Sequence, residues 1–210
     1  VPAPNQNFVA IAAGDLSSLG LKSDGTLVMW GNCDPALLPS PNKDFVAIAA
    51  GNVHYLGLKS DGSVVAWGPY NFQGQLTVPA PNIGFTAVAA GQNDSYGLKS
   101  DGSITTWGYT DCKFKESNKD FVAIAAGEQH GTGLKSDGSV VVWGFTGIGG
   151  GSPLPSPNSD FVAIADTGVY SLALAKEGAL KVSLAPPEVV AAGARWRLKD
   201  EAKDVWHDDT

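Results

Sequence analysis

The residues of this chain whose types could do chemistry are few. His54 and His130 occupy the same position in two similar segments, a position that holds Ser17, Asp94 and Tyr170 elsewhere. Five such positions converging on one axis could form a metal ring. Coordination needs ligands at about 2.0–2.1 Å, however, and two histidines in non-adjacent segments lie too far apart for that. The expectation is two partly buried, hydrogen-bonded histidines, with no metal and no cofactor. Cys33 and Cys112 fall in the same loop of segments one and three. A disulfide would have to bring their Cα atoms within about 7 Å across an intervening segment, so free thiols are expected. Asp24, Asp61, Asp101 and Asp137 lie in S-D-G triplets and lack the dense D-x-D-x-D-G spacing of a calcium loop. They read as turn formers. The run G-I-G-G-G-S at Gly147 to Ser152 has neither the Lys-Ser/Thr of a phosphate loop nor a helix to follow it. No Ser, Cys or Lys sits in a nucleophile elbow, and no acid–base pair follows from spacing. A non-enzymatic protein is expected.

These residues sit in a repeat. The hexapeptide G-L-K-S-D-G occurs four times without substitution, at Gly20, Gly57, Gly97 and Gly133. Repeats aligned on Phe8, Phe45, Phe85, Phe121 and Phe161 have periods of 37, 40, 36 and 40 residues, a range that marks propellers, solenoids or arrays. Each opens with a strand, F-V-A-I-A-A-G or F-T-A-V-A-A-G, and continues with a second at L-G-L-K. The S-D-G triplet closes a tight hairpin, because Asp bonds locally and Gly supplies positive φ. A third strand ends at Trp30, Trp67, Trp107 or Trp143, each followed by Gly. A Pro-rich fourth segment leads to the next Phe. One such repeat cannot cover both faces of its own small sheet, so successive sheets must stack; radial blades fit this better than the alternative solenoid. The fifth repeat decays: Glu177 replaces the turn Asp, Ser183 the Trp and Leu184 the Gly.

The elements FVAIAAG, LKSDG, the Trp-Gly strand ends and the N-x-x-G-Q-L run at Asn71 to Leu76 resemble the regulator of chromosome condensation repeats. The resemblance is to the compact bacterial form that also builds a proteinaceous β-lactamase inhibitor. The resemblance covers about residues 1–184 and implies an all-β propeller of four clear blades plus a degenerate fifth. That propeller is either a closed five-bladed ring, with V-P-A-P-N-Q-N supplying an outer strand to the last blade, or an incomplete ring. Residues 185–210 lack the repeat and resemble the opening strands of a small, truncated β-module. The resemblance also makes inhibition an expected activity, and points to a bacterial protein acting outside the cell or on its surface.

Composition narrows the function. The apolar share is 43% and the net charge −7, with no basic run, which excludes a phosphate backbone as a partner. No stretch approaches the roughly 18 apolar residues of a membrane span. The N-terminal residues show neither a charged region nor an apolar core of an export signal, which is therefore expected to be removed or absent. Strand direction places all S-D-G turns on one face and both variable loops of every repeat on the other. Those loops mix Tyr and Phe with Asn, Gln and Asp, a composition suited to recognition. The candidate contact residues are Tyr55, Tyr70, Phe72, Tyr96, Tyr109, Phe114 and Phe145. Binding of a protein partner by this face is the leading expectation. A lectin with one sugar pocket per repeat, and an assembly module whose open blade edges pair between chains, are the alternatives. The four strand-end Trp residues are expected to pack between blades.

Overall fold

The computed structural model describes residues 4–109, 117–144, 154, 156–168, 170–176, 180–183, 196–199 and 204–207. Five three-stranded antiparallel sheets follow one another along the chain, each in the order first, second, third strand. The first contains β1 (Phe8–Ala13), β2 (Ser17–Lys22) and β3 (Leu27–Gly31), the second β4 (Phe45–Ala50), β5 (Tyr55–Lys59) and β6 (Val64–Trp67). β7 (Phe85–Ala90), β8 (Asp94–Lys99) and β9 (Ile104–Gly108) form the third, and β10 (Phe121–Ala126), β11 (His130–Lys135) and β12 (Val140–Gly144) the fourth. The fifth is built from β13 (Phe161–Thr167), β14 (Tyr170–Ala175) and β15 (Leu180–Ser183). A separate pair, β16 (Trp196–Lys199) with β17 (Asp204–His207), follows.

The hexapeptide is invariant because each letter has a separate job. Its first Gly lies beneath the Phe that opens the repeat: a Cβ on Gly57 would stand 2.5 Å from Phe45 Cε1, and one on Gly97 2.5 Å from Phe85 Cδ1. The Leu enters the core, with Leu21, Leu58, Leu98 and Leu134 all buried. The Lys lays its ammonium over the same Phe ring, at 3.9 Å for Lys59 and 4.4 Å for Lys99. The Ser amide donates to the residue before the Phe, as Ser60 N does to Asp44 O at 2.9 Å. The Asp carboxylate accepts from the backbone and hydroxyl two residues on, as Asp61 Oδ1 does from Ser63 N and Oγ at 2.9 and 2.6 Å. These bonds hold the turn carboxyls below the usual carboxylate range. The last Gly sits at φ near +79°, which closes a turn that a side chain would strain.

Among the described residues the Pro-rich fourth segment forms no strand. Its Asn, three residues before each Phe, substitutes a single side chain for the missing ladder. Asn82 Oδ1 accepts from Val64 N and its Nδ2 donates to Val64 O, both at 2.8 Å. Asn42, Asn118 and Asn158 do the same for Leu27, Ile104 and Val140.

Hydrophobic cores lie between sheets rather than within them. Each sheet turns an aliphatic face forward and an aromatic face back: Leu19, Leu21, Leu27 and Met29 of the first pack on Phe45, Tyr55 and Trp67 of the second. At the later junctions a buried Leu of one sheet again meets the opening Phe of the next, with Tyr96 joining the forward face of the third sheet. Phe and Trp of one sheet meet at 6.1–6.4 Å between ring centres. Trp67, Trp107 and Trp143 thus pack between sheets, as expected, whereas Trp30 lies on the outer face of the first sheet, with no sheet before it. Backbone bonds tie neighbours too, since Phe45 N donates to Gly25 O of the preceding turn and the pattern repeats at Phe85, Phe121 and Phe161. The outermost faces differ. Ile11 of the first sheet is 76% exposed, and Leu172 and Leu174 of the fifth are 37% and 43% exposed.

Candidate functional site

Antiparallel order puts the β2–β3 type turns at one end of every sheet. The β1–β2 type loops and the loops after the third strands lie at the other. On that variable face the loop from Tyr70 to Thr77 is held by its own side chains. Asn71 Oδ1 accepts from Leu76 N at 2.8 Å, and its Nδ2 donates to Thr77 Oγ1 at 3.2 Å. Gln75, 1% exposed, accepts from Gln73 N at 3.0 Å and donates to Tyr70 O at 3.2 Å. Its carbonyl receives Trp107 Nε1 at 2.9 Å and Ser95 Oγ at 3.1 Å, which pins the loop to the third sheet. Gly74, at φ +84°, makes the corner. The tightened loop presents Tyr70 and Phe72 outward as a stacked pair, ring centres 5.3 Å apart and planes within 16°. Phe72 is 83% exposed, Tyr70 51%. Tyr109, at the end of β9, is also exposed, its amide bonded to Asn93 O at 3.0 Å.

Two of the sequence candidates lie elsewhere. Tyr55 and Tyr96 belong to second strands, where alternate residues point into the junctions, and both are buried. Tyr55 stacks on Trp67 at 5.6 Å and bonds Ser17 Oγ of the preceding sheet. Tyr96 meets Trp143 of the following sheet edge-on at 5.6 Å. Their variation between repeats reflects junction packing, so neither is a surface contact. Phe114 and Phe145 lie outside the described residues, as do Cys112 and the Gly147 to Ser152 run. Cys33 is a free thiol whose pKa is raised by burial and by Asp34.

The two histidines are inside junctions. His54 Nε2 pairs with Ser95 Oγ at 2.9 Å, and His130 Nε2 with Ser171 Oγ at 3.1 Å. Burial lowers the His54 pKa to about 4, keeping the ring neutral. Beside it Asp94, 1% exposed, is pushed up to about 6 by burial, against the opposing hydrogen bond from Tyr96. At the junction of sheets four and five a carboxylate is added. Asp166 Oδ1 accepts from Thr132 Oγ1 at 3.1 Å and lies 3.8 Å from His130 Nε2. Both Ser171 and Asp166 approach the same ring nitrogen, an arrangement unlike that of a hydrolytic triad, in which the carboxylate holds the other nitrogen.

A cavity of about 280 Å³ opens where the first strands of all five sheets end on the variable face. Its walls are the Ala-Gly ends of the strands, because only Gly lets successive sheets approach: a Cβ on Gly14 or Gly91 would lie 2.6 Å from the carbonyl oxygen of Gly51 or Gly127. Asp15, Asn52, Gln92 and Glu128 follow these glycines and line the cavity. So does Asp166, which stands where Ala13, Ala50, Ala90 and Ala126 stand in the other sheets. Sequence reasoning missed Asp166; its signal was the break of Ala-Ala-Gly into Ala-Asp-Thr-Gly. Among the described residues no three His, Cys, Asp or Glu side chains come together to hold a metal ion. Nor is any helix there long and apolar enough to cross a membrane.

Radially stacked, three-stranded repeats with this face polarity define an all-β protein of propeller blades. Residues 8–32, 45–75 and 121–145 match the Regulator of chromosome condensation (RCC1) repeat. None of the curated protein sequences matches it. Among solved structures it is similar to the CRINKLY WD40 ectodomain of the Arabidopsis thaliana receptor kinase ACR4, at 21% identity and a TM-score of 0.68, over 84% of this chain and 65% of that one. The ectodomain of the Physcomitrella patens receptor kinase CR4 is similar at 23% identity and a TM-score of 0.68, over 86% and 50%. Prp20p of Saccharomyces cerevisiae, studied for its binding to Gsp1p and histones, is similar at 20% identity and a TM-score of 0.65, over 90% and 59%. The chain thus spans half to two-thirds of the length of these structures.

Proposed function

We propose that the chain is a non-enzymatic scaffold that docks a protein partner on its variable-loop face. The observation that carries this reading is the Tyr70–Phe72 pair. Two large rings stacked in water, on a loop held by Asn71 and Gln75, expose apolar area whose ordering cost is already met before any partner arrives. Aromatic anchors on rigid supports are the usual hot spots of interfaces. Tyr109 extends the patch from the next sheet. A bacterial setting outside the cell, and docking that blocks the partner's own site, are the finer form of the reading, supported by the resemblance to the compact inhibitor form. Protein binding by the Saccharomyces cerevisiae neighbour is in keeping with it.

The test is capture of a partner from extract of the native cells on immobilised protein. Tyr70→Ala combined with Phe72→Ala should weaken capture by about 30-fold, the effect of losing roughly 2 kcal/mol of hot-spot contact. Tyr55→Phe, inside a junction, should leave it unchanged. Equal capture by the double variant and the wild type would refute the reading, and a glycan array that retains the protein would favour a sugar ligand instead.

The exposed faces of the outermost sheets favour a second reading, association of copies. The first sheet shows Phe8, Ile11 and Trp30 on its aromatic side, while the fifth shows Leu172 and Leu174 on its aliphatic side. These are the two surface types that every internal junction brings together. Light scattering that shows oligomers abolished by Ile11→Lys would support it, and a monomer at all concentrations would eliminate it.

A further inference from the structure

We propose that the outer edge of the second repeat is a two-fold contact surface for a second copy of this chain. The inference rests on the docking reading above and names the partner that the Tyr70–Phe72 pair meets. Three observations carry it. First, the surface is uncharged where the rest of the chain is not. From Gly62 to Asn93 there is no Asp, Glu, Lys, Arg or His, the longest such run in a chain of net charge −7. Second, a polar surface position has become apolar. The two residues before the opening Phe are Gln6–Asn7, Lys43–Asp44, Lys119–Asp120 and Ser159–Asp160 in four places, with exposed ion pairs at 3.7 and 4.0 Å in two of them. In the fifth place they are Ile83–Gly84, and Ile83 is 63% exposed. The fold uses its carbonyl, which accepts from Lys99 Nζ at 3.0 Å, and asks nothing of its side chain. An exposed isoleucine on the same edge as two exposed rings marks a contact surface.

Third, the strip is complementary to itself. The segment after Gly74 runs along the outside of β6, tied at one end where Asn71 holds Leu76 and Thr77 and at the other where Asn82 clamps Val64. It carries the stacked rings of Tyr70 and Phe72 at the variable end, Pro81 and Ile83 at the turn end, and the smaller Thr77 and Ala80, both exposed, between them. A two-fold axis through its middle lays the rings of each copy on Pro81 and Ile83 of the other, so the same contact is made twice, and the small residues at the centre let the two backbones close. Flat rings on proline and isoleucine bury apolar area with no charge to desolvate. Elsewhere two surfaces of the same negative sign repel, which makes the neutral strip the place where copies of this chain meet at least cost.

The experiment is sedimentation equilibrium of the full chain, with substitutions at exposed positions that leave the cores untouched. A monomer–dimer equilibrium is expected, strengthened by added salt, which screens the like net charges of the two copies. Phe72→Lys and Ile83→Asp should each weaken the dimer about 100-fold, since a loss of about ten-fold per contact counts twice under a two-fold axis. Mixing the two variants should recover about ten-fold of that, because one native ring contact returns and the introduced ammonium meets the introduced carboxylate across the other. Ile11→Lys, on the outer face of the first sheet, should leave the dimer unchanged. A monomer at every concentration, a dimer that salt dissociates, variants that associate as the wild type does, a mixture no better than its components, or loss of the dimer on Ile11→Lys would each overturn the proposal. A monomer that still captures a partner through Tyr70 and Phe72 removes the second copy and keeps the docking face; a monomer whose capture ignores those rings removes both.

Discussion

Replacing Gly57 with Ala tests why the hexapeptide is invariant. The added methyl would lie 2.5 Å from Phe45 Cε1, 2.6 Å from Cδ1 and 3.2 Å from Trp67 Cζ3. Carbon atoms prefer about 3.5–4.0 Å, so the Phe45 ring must retreat by about 1 Å. It has nowhere to go, being 3% exposed in a core with Leu19, Leu21 and Trp67. Overpacking of this kind costs about 1–3 kcal/mol. Against it, Ala in place of Gly recovers about 0.5–1 kcal/mol of backbone entropy, leaving a net loss of about 1–2 kcal/mol. For a chain of this size that lowers Tm by roughly 2–8 °C, measurable by calorimetry or urea titration. Gly20 supplies the internal control. It lies against Phe8 and Trp30 in the same way, but Phe8 has no preceding sheet against it and is only half-buried. The ring can swing outward, so Gly20→Ala should cost less than about 0.5 kcal/mol. Equal losses at both positions, or a Gly57→Ala protein as stable as the wild type, would refute the argument that ring packing fixes this residue.

Two further perturbations test the supports of the sheets. Asn82→Ala leaves Val64 N and O without partners and should destabilise by about 1–3 kcal/mol, while Asn82→Asp keeps an acceptor for the amide but offers no donor for the carbonyl and should fall between; hydrogen exchange at the Val64 amide reports the loss directly. The buried Asp94 makes stability depend on pH. Its folded pKa, about 6, lies above the unfolded value of 3.8, so its contribution is complete below pH 3.8 and is lost as pH rises through 6. Asp94→Asn should therefore stabilise the protein at pH 7 relative to its effect at pH 4, by about 1–2 kcal/mol once solvent screening is allowed for. His54 works in the opposite direction. With a folded pKa near 4 against 6.5, its contribution is complete above pH 6.5 and falls away toward pH 4, and His54→Gln should flatten that limb of a stability–pH profile.

What the sequence made legible is what short-range pattern encodes. The β-branched and aromatic residues of FVAIAA, the Asp-Gly turn and the Trp at each strand end are local signals, and each appears where it was expected. The irregular fourth segment was legible from its Pro content, but the Asn clamp inside it was not. The Asn clamp acts on a residue 14 to 18 positions away through its side chain. Tyr55 and Tyr96 were misplaced for a related reason. Difference between copies was taken as a mark of surface, yet a strand position facing a junction differs whenever the opposing sheet does: Tyr55 answers Ser17, His54 answers Ser95, and Tyr96 answers Trp143. The Tyr70–Phe72 pair was legible as aromatic residues in a loop, but its stacking depends on Gln75 reaching back to the Tyr70 carbonyl.

The two ends of each sheet are unequal because they are built by different parts of the residue. At the turn end, side chains make the structure: the Asp carboxylate, the Lys over the ring and the Asn clamp each need their own chemistry, so the letters cannot change. At the variable end, the sheets are joined by main chain. Gln92 N bonds Glu128 O at 2.8 Å and Glu128 N bonds Gly168 O at 2.7 Å. Those contacts require a Gly before them and no particular side chain at Asp15, Asn52, Gln92 or Glu128, although Gln92 Oε1 also accepts from Gln129 Nε2 of the next sheet at 3.2 Å. Exchanging these four among themselves should then change stability by less than about 0.5 kcal/mol in urea titration, the range of surface substitutions away from any special feature. A larger loss would mean that the rim is structural and that its side chains, not the main chain alone, hold the sheets.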